Sequence, residues 1–442
     1  MRANHLFLWG IFTSLMLAGC DTDDKEPLKG HRLSALEMDM QLKQDINSAS
    51  IAVDLPLAEE VTTWPQKGGN AQHVPAHAKT QGLAQILWQE SIGYGNRASG
   101  FLVASPVGGE GLIYTLDSAY GVCAFDHKTG HKKWSKSVRM GARSKFLGGG
   151  LAYELGYLYV ALSNGEVVKL QAKDGQEIWR AQIPYALRSE PTLMDGKLYL
   201  ITSDNNLLAL SAQTGERIWQ HSGQEESIAV LGGAPATVWD QTVIAPYSSG
   251  EIFALYAKNG YPLWSDNLSG VHGRDSASMI SQIRALPVIY RGMVFASSQS
   301  GNFVALDLRT GSRVWEKPLG LSSTPIIAGE FIFALTNSNE LLCCTWKTGR
   351  IVWVAQLPQY EDSSRRKGRI SWAGPLLANN QLIVAGSTKK ALAISPEEGK
   401  IVEELELPGE IFLSPIVIDN FIYFLTADGR LVAVGSKDAS ER

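Results

Sequence analysis

Along most of the chain, short apolar runs alternate with clusters of Gly, Ser and Asn. Met293-Val294-Phe295-Ala296-Ser297 follows Gly292, and Phe303-Val304-Ala305-Leu306 follows Asn302. Runs rich in β-branched and aromatic residues, bounded in this way, read as strand, turn, strand. A Thr310-Gly311 turn then leads into Arg313-Val314-Trp315. Glycine suits a turn position that needs positive φ, where a Cβ would clash.

This unit repeats. A polar residue and glycine, with Trp four residues after the glycine, occur at Gly130 and Trp134, Gly175 and Trp179, Gly215 and Trp219, and Gly260 and Trp264. They recur at Gly311 and Trp315 and at Gly349 and Trp353, and a seventh copy at Gly399 carries Glu403 in place of Trp. The copies are spaced by about 45 residues, the length of a four-stranded propeller blade. Each has a proline well upstream of its glycine (Pro106, Pro191, Pro235, Pro287, Pro325 and Pro375), except the second, which has Leu151. An eighth copy begins at Ser414-Pro415, continues through Phe421-Ile422-Tyr423-Phe424 and Leu431-Val432-Ala433-Val434, and then lacks its turn and Trp. Leu87-Trp88-Gln89-Glu90 has no preceding strands of its own and supplies the missing strand. The expected fold is therefore all-β: an eight-bladed β-propeller of four-stranded blades, its ring closed by pairing the N-terminal strand with the C-terminal blade. One four-stranded sheet cannot bury both faces alone, so the blades must stack around an axis. Trp88, Trp134, Trp179, Trp219, Trp264, Trp315 and Trp353 are expected to be structural, each indole wedging between neighbouring blades.

Composition then narrows the field. A chain of 442 residues suggests about three domains by size alone; the repeat replaces these with one ring. The 43 glycines serve as blade turns, and the low charged fraction of 19% fits a protein without charged helix faces. A net charge of -4 lacks the basic footprint that nucleic-acid binding requires. Four cysteines, one of them Cys20, exclude a disulfide framework as the main source of stability.

The N-terminus has a different logic. Arg2, an apolar run from Leu6 to Leu17, and Ala18-Gly19-Cys20 have the three-part layout of a secretory signal. Leu17-Ala18-Gly19-Cys20 resembles the bacterial lipobox, which implies cleavage before Cys20 and its lipidation. Asp21 resembles an inner-membrane retention signal in enteric bacteria, leaving the choice of membrane open. The expected organisation is signal peptide 1–19, lipid-anchored leader 20–63, propeller 64–436 and tail 437–442. Within the leader, Leu33, Leu36, Met40 and Ile46 have loosely helical spacing. A short amphipathic helix and a mobile tether are both consistent with that pattern.

Ala305-Leu306-Asp307-Leu308-Arg309-Thr310-Gly311 is the cleanest copy of a repeat that resembles those of pyrroloquinoline-quinone-type propellers. With the lipobox, eight units and chain length, the whole resembles the BamB lipoprotein family of the outer-membrane β-barrel assembly machinery. Trp64-Pro65-Gln66-Lys67-Gly68-Gly69-Asn70 and Leu28-Lys29-Gly30-His31-Arg32-Leu33-Ser34 are similar to segments preceding the propeller in its alphaproteobacterial branch. The resemblance implies a non-enzymatic periplasmic scaffold, lipid-anchored at the outer membrane, that docks on BamA-like barrel proteins and assists unfolded outer-membrane proteins. No cofactor is implied. The family's docking loops map onto Ile228, Val230 and Leu231 before one blade, and onto Gln282 and Arg284 before the next. Leu231 replaces the family's arginine, and the family's two aspartates are absent.

Other chemistry is thinly supported. Cys343-Cys344 resembles the vicinal pair of quinoprotein dehydrogenases, the alternative function, but occupies a strand where small apolar side chains suffice. An envelope sensor or polysaccharide-binding propeller is a further alternative. His73 with His77, and His127 with His131, lack a third ligand for zinc, so no metal site is expected. Gly148-Gly149-Gly150 reads as an inter-blade turn, and Arg365-Arg366-Lys367-Gly368-Arg369 as a solvated basic loop.

Overall fold

A computed structural model describes residues 42–46, 48, 51–98, 100–140, 148–225, 232–269, 282–299 and 301–436. Two units separate by contact, Met1–Leu42 and Lys43–Arg442. Cys20, the spacing over Leu33–Met40 and the tail 437–442 lie outside the described residues. The second unit carries eight four-stranded antiparallel sheets, the expected propeller. Blades 1 to 7 span residues 107–137, 149–182, 192–222, 237–267, 288–317, 326–356 and 372–406. Blade 8 takes three strands from 416–435 and its fourth from Gln85–Ser91. That closing strand runs antiparallel to Arg430–Gly435, with Gln85 opposite Gly435 and Ser91 opposite Arg430.

The burial of each strand follows from its place in the blade. Second and third strands are covered on both faces and read as continuous apolar runs, as in Phe331–Leu335 and Phe421–Leu425, which are buried throughout. Fourth strands form the rim, and Lys132–Ser137 is exposed at four of its six positions. One rim strand is covered. Val352 is 4% exposed, whereas the matching Ile178 and Val314 of blades 2 and 5 are 49% and 51% exposed. Ile51, Val53 and Leu55 pack on the cluster that contains Val352. Asp45 extends this cover, its N–H donating to Ile351 O at 3.0 Å and its carboxylate accepting from Ile351 N at 2.7 Å. Packing on the ring thus begins well before residue 64.

Six of the seven repeated Trp sit opposite a small residue of the neighbouring strand, among them Ala124 for Trp134, Ala305 for Trp315, Cys343 for Trp353 and Ala433 for Trp88, whereas Trp179 faces Lys169. The ring then lies over the turn glycine of the next blade. A Cβ added at Gly311 would stand 2.6 Å from Trp264, and one at Gly260 would stand 2.6 Å from Trp219. The indole N–H donates to the carbonyl three residues before that glycine, as from Trp134 to Ala172 O at 2.9 Å and from Trp353 to Pro396 O at 2.8 Å. At two junctions another group takes this acceptor: Tyr423 Oη donates to His127 O, and Lys169 Nζ to Ala212 O. Trp88 Nε1 and Trp179 Nε1 there make no hydrogen bond. Each contact joins neighbouring repeats, so ring stability is a sum of nearest-neighbour terms.

The basic cluster differs from its expected form. Tyr360–Asp362 and Lys367–Arg369 pair as a two-stranded hairpin between blades 6 and 7. Gly149 and Gly150 open the first strand of blade 2 and are not an inter-blade turn.

Candidate functional site

In an antiparallel blade, the turn joining strands one and two lies at the same end as the turn joining strands three and four. The connections to the next blade lie at the other end. Residues 54–80 cross the first of these ends as a strap that touches every blade. Asp54 O lies 3.2 Å from where a Cβ on Gly329 of blade 6 would stand. Val61 O accepts from Asp419 N of blade 8 at 2.6 Å, and Trp64 exchanges two backbone hydrogen bonds with Gly108 of blade 1. Pro65 O accepts from Tyr153 N of blade 2 at 2.7 Å, and Gln66 Oε1 from Leu193 N of blade 3 at 2.7 Å. Ala71 O serves Val238 N of blade 4, Gln72 O serves Ile289 N of blade 5, and Ala78 pairs with Leu377 and Asn379 of blade 7. The first strand of each blade is an open edge at the axis, and the strap satisfies its end groups.

Above the strap, on the axis, lies a cavity of about 520 Å³. Trp64, Lys67, His73 and Pro75 form its floor. Phe101 and Phe412, on the connections into blades 1 and 8, and Trp372, the first residue of blade 7, supply the large aromatic surfaces. Arg284, Gln299 and Asn337, from blades 5 and 6, stand on another part of the wall. Phe101 and Phe412 are each 44% exposed, which places the mouth at the connection end.

The site's ionisable groups are unevenly matched. Lys67 Nζ lies 3.3 Å from Glu190 Oε1, which also accepts from Ser105 N at 2.9 Å. Burial nevertheless pushes the Glu190 carboxyl up. Arg188 is buried beside Gly233, and among the described residues its side chain makes one hydrogen bond, a 3.5 Å contact from Nη1 to Asn205 Oδ1. Burial lowers it to about 10. His73 Nδ1 lies 2.8 Å from Pro287 O. Because a carbonyl can only accept, Nδ1 carries the proton and Nε2 is a bare acceptor. Burial pushes His73 down to about 4, so it is neutral at pH 7. Among the described residues, the lining contains Lys67, His73 and Arg284 and no carboxylate.

Two of the expected partner residues, Gln282 and Arg284, fall at the connection end. Ile228, Val230 and Leu231 lie outside the described residues. Gln282 is 1% exposed and donates from Nε2 to Gly232 O at 2.9 Å, tying the connection into blade 5 to the connection into blade 4. Arg284, two residues on, is exposed. Gln282 and Gly232 are therefore joined by a buried amide.

The cysteine and histidine candidates take structural positions. Cys343 and Cys344 are free thiols, buried in the third strand of blade 6. Successive strand residues face opposite sides of the sheet, and Cys343 fills the small-residue place beside Trp353. Burial pushes both thiols well above their ordinary range, Cys344 to about 12, which makes them poor nucleophiles. His77 Nδ1 bonds Pro56 O within the strap, and its Nε2 accepts from Asn380 N of blade 7. His127 bonds Asp419 Oδ2 at 2.6 Å where blades 8 and 1 meet. Among the described residues, no three His, Cys, Asp or Glu side chains group as a metal site requires. The strap, Arg188 and Glu190 escaped sequence reading; the only available signal was a polar Lys67-Gly68-Gly69-Asn70 stretch without periodicity.

Comparison with known proteins identifies the ring. A family model described as outer membrane protein assembly factor BamB matches residues 137–355. The BamB of Salmonella typhimurium is 30% identical over 357 residues, covering 79% of this chain and 88% of that one. Among solved structures, BamB from Moraxella catarrhalis superposes with a TM-score of 0.65 at 17% identity, covering 80% of this chain and 99% of that one. A europium-containing methanol dehydrogenase superposes with a TM-score of 0.63 at 14% identity, covering 85% and 90%. Those structural likenesses show the propeller fold, which unrelated activities share. The sequence relationship is closer and runs through the blades: the chain belongs to the family of the outer membrane protein assembly factor BamB.

Proposed function

We infer that this protein is a non-enzymatic scaffold in outer-membrane protein assembly, held at the periplasmic face of the outer membrane by lipid on Cys20. It docks on the periplasmic domains of a BamA-like barrel protein through the connections into blades 4 and 5. The observation that carries this reading is the bond from Gln282 to Gly232, which ties the connection into blade 5 to the residue that follows the first mapped segment, two residues from exposed Arg284. In this reading Ile228, Val230 and Leu231 supply apolar contact and Arg284 supplies charge, while Gln282 holds the loops together from beneath. Rim charges act mainly on encounter and specificity. Affinity purification from gently solubilised membranes is expected to recover the BamA-like partner; its absence would refute the docking role. Arg284→Glu should reduce that recovery at least fivefold, whereas charge reversal at Arg365 in the 360–369 hairpin should leave it unchanged. Cys20→Ala should abolish palmitate labelling and release the protein from the membrane fraction.

A further inference from the structure

The rim of blade 1 carries a charge pattern that docking through the connections into blades 4 and 5 does not use. From His127 to Tyr153 the sequence holds seven Lys or Arg residues and no Asp or Glu, in a chain whose net charge is -4. The described cations of this stretch stand on the last turn of blade 1, on its fourth strand Lys132–Ser137, and just beyond it. Lys128, Lys132, Lys133 and Arg139 are exposed, and Lys136 is partly so. Lys133 Nζ pairs with Asp126 at 3.2 Å. Lys132 and Lys136 donate to backbone carbonyls, Ser91 O at 2.9 Å and Gly175 O at 3.0 Å, which leave their charge in place. Glu177 on the neighbouring rim is already held by two hydrogen bonds from Arg180. Met140, at the end of the stripe, is 59% exposed. Other fourth strands carry at most two cations, as with Arg313 and Lys317 of blade 5. Charge on an open rim strand also discourages pairing with another strand, but either sign serves that purpose, and blade 7 uses Glu403, Glu404 and Glu406.

We propose that the rim of blade 1 is the face this protein turns to the bilayer, where Lys128, Lys132, Lys133, Lys136 and Arg139 bind the phosphates of anionic lipid headgroups. The inference rests on the membrane placement given above only for the source of those phosphates. Long, exposed side chains spread along one strand suit a fluid layer of phosphates, which needs no fixed cradle. An exposed methionine beside them suits the same surface, which offers apolar contact just beneath its charge. Each contact is weak and screened by salt, so the rim orients a chain that lipid already holds near the surface and does not hold it there by itself. In a closed ring of eight blades, blade 5 stands opposite blade 1. A bilayer against blade 1 therefore leaves Arg284 and the connection into blade 5 on the far side, open to periplasmic domains.

The test mixes the full chain, at low salt, with vesicles of phosphatidylcholine alone or with an equal part of phosphatidylglycerol. Amines are acylated with a water-soluble reagent, and each lysine is read by mass spectrometry. Lys128, Lys132 and Lys133 should react at least threefold more slowly on the anionic vesicles, with Lys258 of blade 4 and Lys400 of blade 7 unchanged. High salt should remove the protection. Replacing both Lys128→Glu and Arg139→Glu should at least halve the protection of Lys132 and Lys133. Both replaced side chains are exposed, and unchanged thermal melting will show that the variant folds. Equal labelling of blade 1 on the two kinds of vesicle, equal protection of Lys258 and Lys400, or full protection in the double variant would overturn the proposal. Protection by polyglutamate but not by anionic vesicles would also overturn it, assigning the stripe to an acidic polypeptide. Sedimentation with the zwitterionic vesicles reports the lipid on Cys20 separately, so failure of the anchor and failure of the rim are told apart.

Discussion

The two ends of the ring are built from the same eight repeats and differ in what those repeats are asked to do. At the strapped end, turns are short, each Trp lies over the next blade's glycine, and residues 54–80 tie all eight blades at the axis. At the connection end, segments between blades vary in length and carry exposed Arg284, Phe101 and Phe412. The difference teaches that one end bears the ring's cohesion and the other is free to vary for binding. Contacts between neighbouring repeats are made once per blade and must fit each time, whereas a connection has only to reach the next blade.

Substitutions can break or sharpen that contrast. The largest effect is expected from Trp353→Ala, which removes a buried indole between Cys343 and Gly399 and leaves Pro396 O unpaired. The loss should be about 3–5 kcal/mol, read as a lower denaturant midpoint with partner recovery intact in the folded fraction.

Next comes the pH dependence set by His73 in the strap. Its value of about 4 in the folded chain lies below the ordinary 6.5, so the unfolded chain binds the extra proton between those values. Stability from this residue is complete above pH 6.5 and is lost as pH falls toward 4, by on the order of 3 kcal/mol. Glu190, raised by burial, contributes with opposite sign. The comparison of parent with His73→Gln isolates the histidine: denaturant midpoints of the parent should fall more steeply from pH 7 to pH 4. Parallel profiles would show that the strapped end does not depend on neutral His73.

The smallest effect on stability is expected at the other end. Arg284→Glu should shift unfolding by less than about 0.5 kcal/mol, because an exposed side chain away from packing contributes little. The same change should nevertheless reduce partner recovery. A large loss of stability there would erase the distinction between the two ends.

Much of the ring was legible because its signals are local. A glycine turn, the Trp four residues later and the two apolar runs before it all fall within one blade, so their recurrence counts the blades. The split eighth blade was legible for the same reason, since a strand without partners at Trp88 matched a blade lacking its last strand. Cys343 was readable as a small strand residue, although only the pairing with Trp353 explains why a small residue stands there. The strap was not legible. Its residues pair singly with eight separate blades, and such contacts leave no period in the sequence. Gln282 was expected at the partner surface, but its burial and its bond to Gly232 depend on how two connections meet.

The sequence by itself determined the strand order and the blade count, because strand pairing within a blade and turn formation depend on residues close along the chain; it determined the closure because the two ends each carry part of one repeat. Tertiary structure alone decided that one end is strapped and that a cavity lies on the axis above the strap. It also decided that the covered rim is the one on blade 6. These features arise where segments distant in sequence meet, and their energy comes from complementary shape and charge that no single segment encodes.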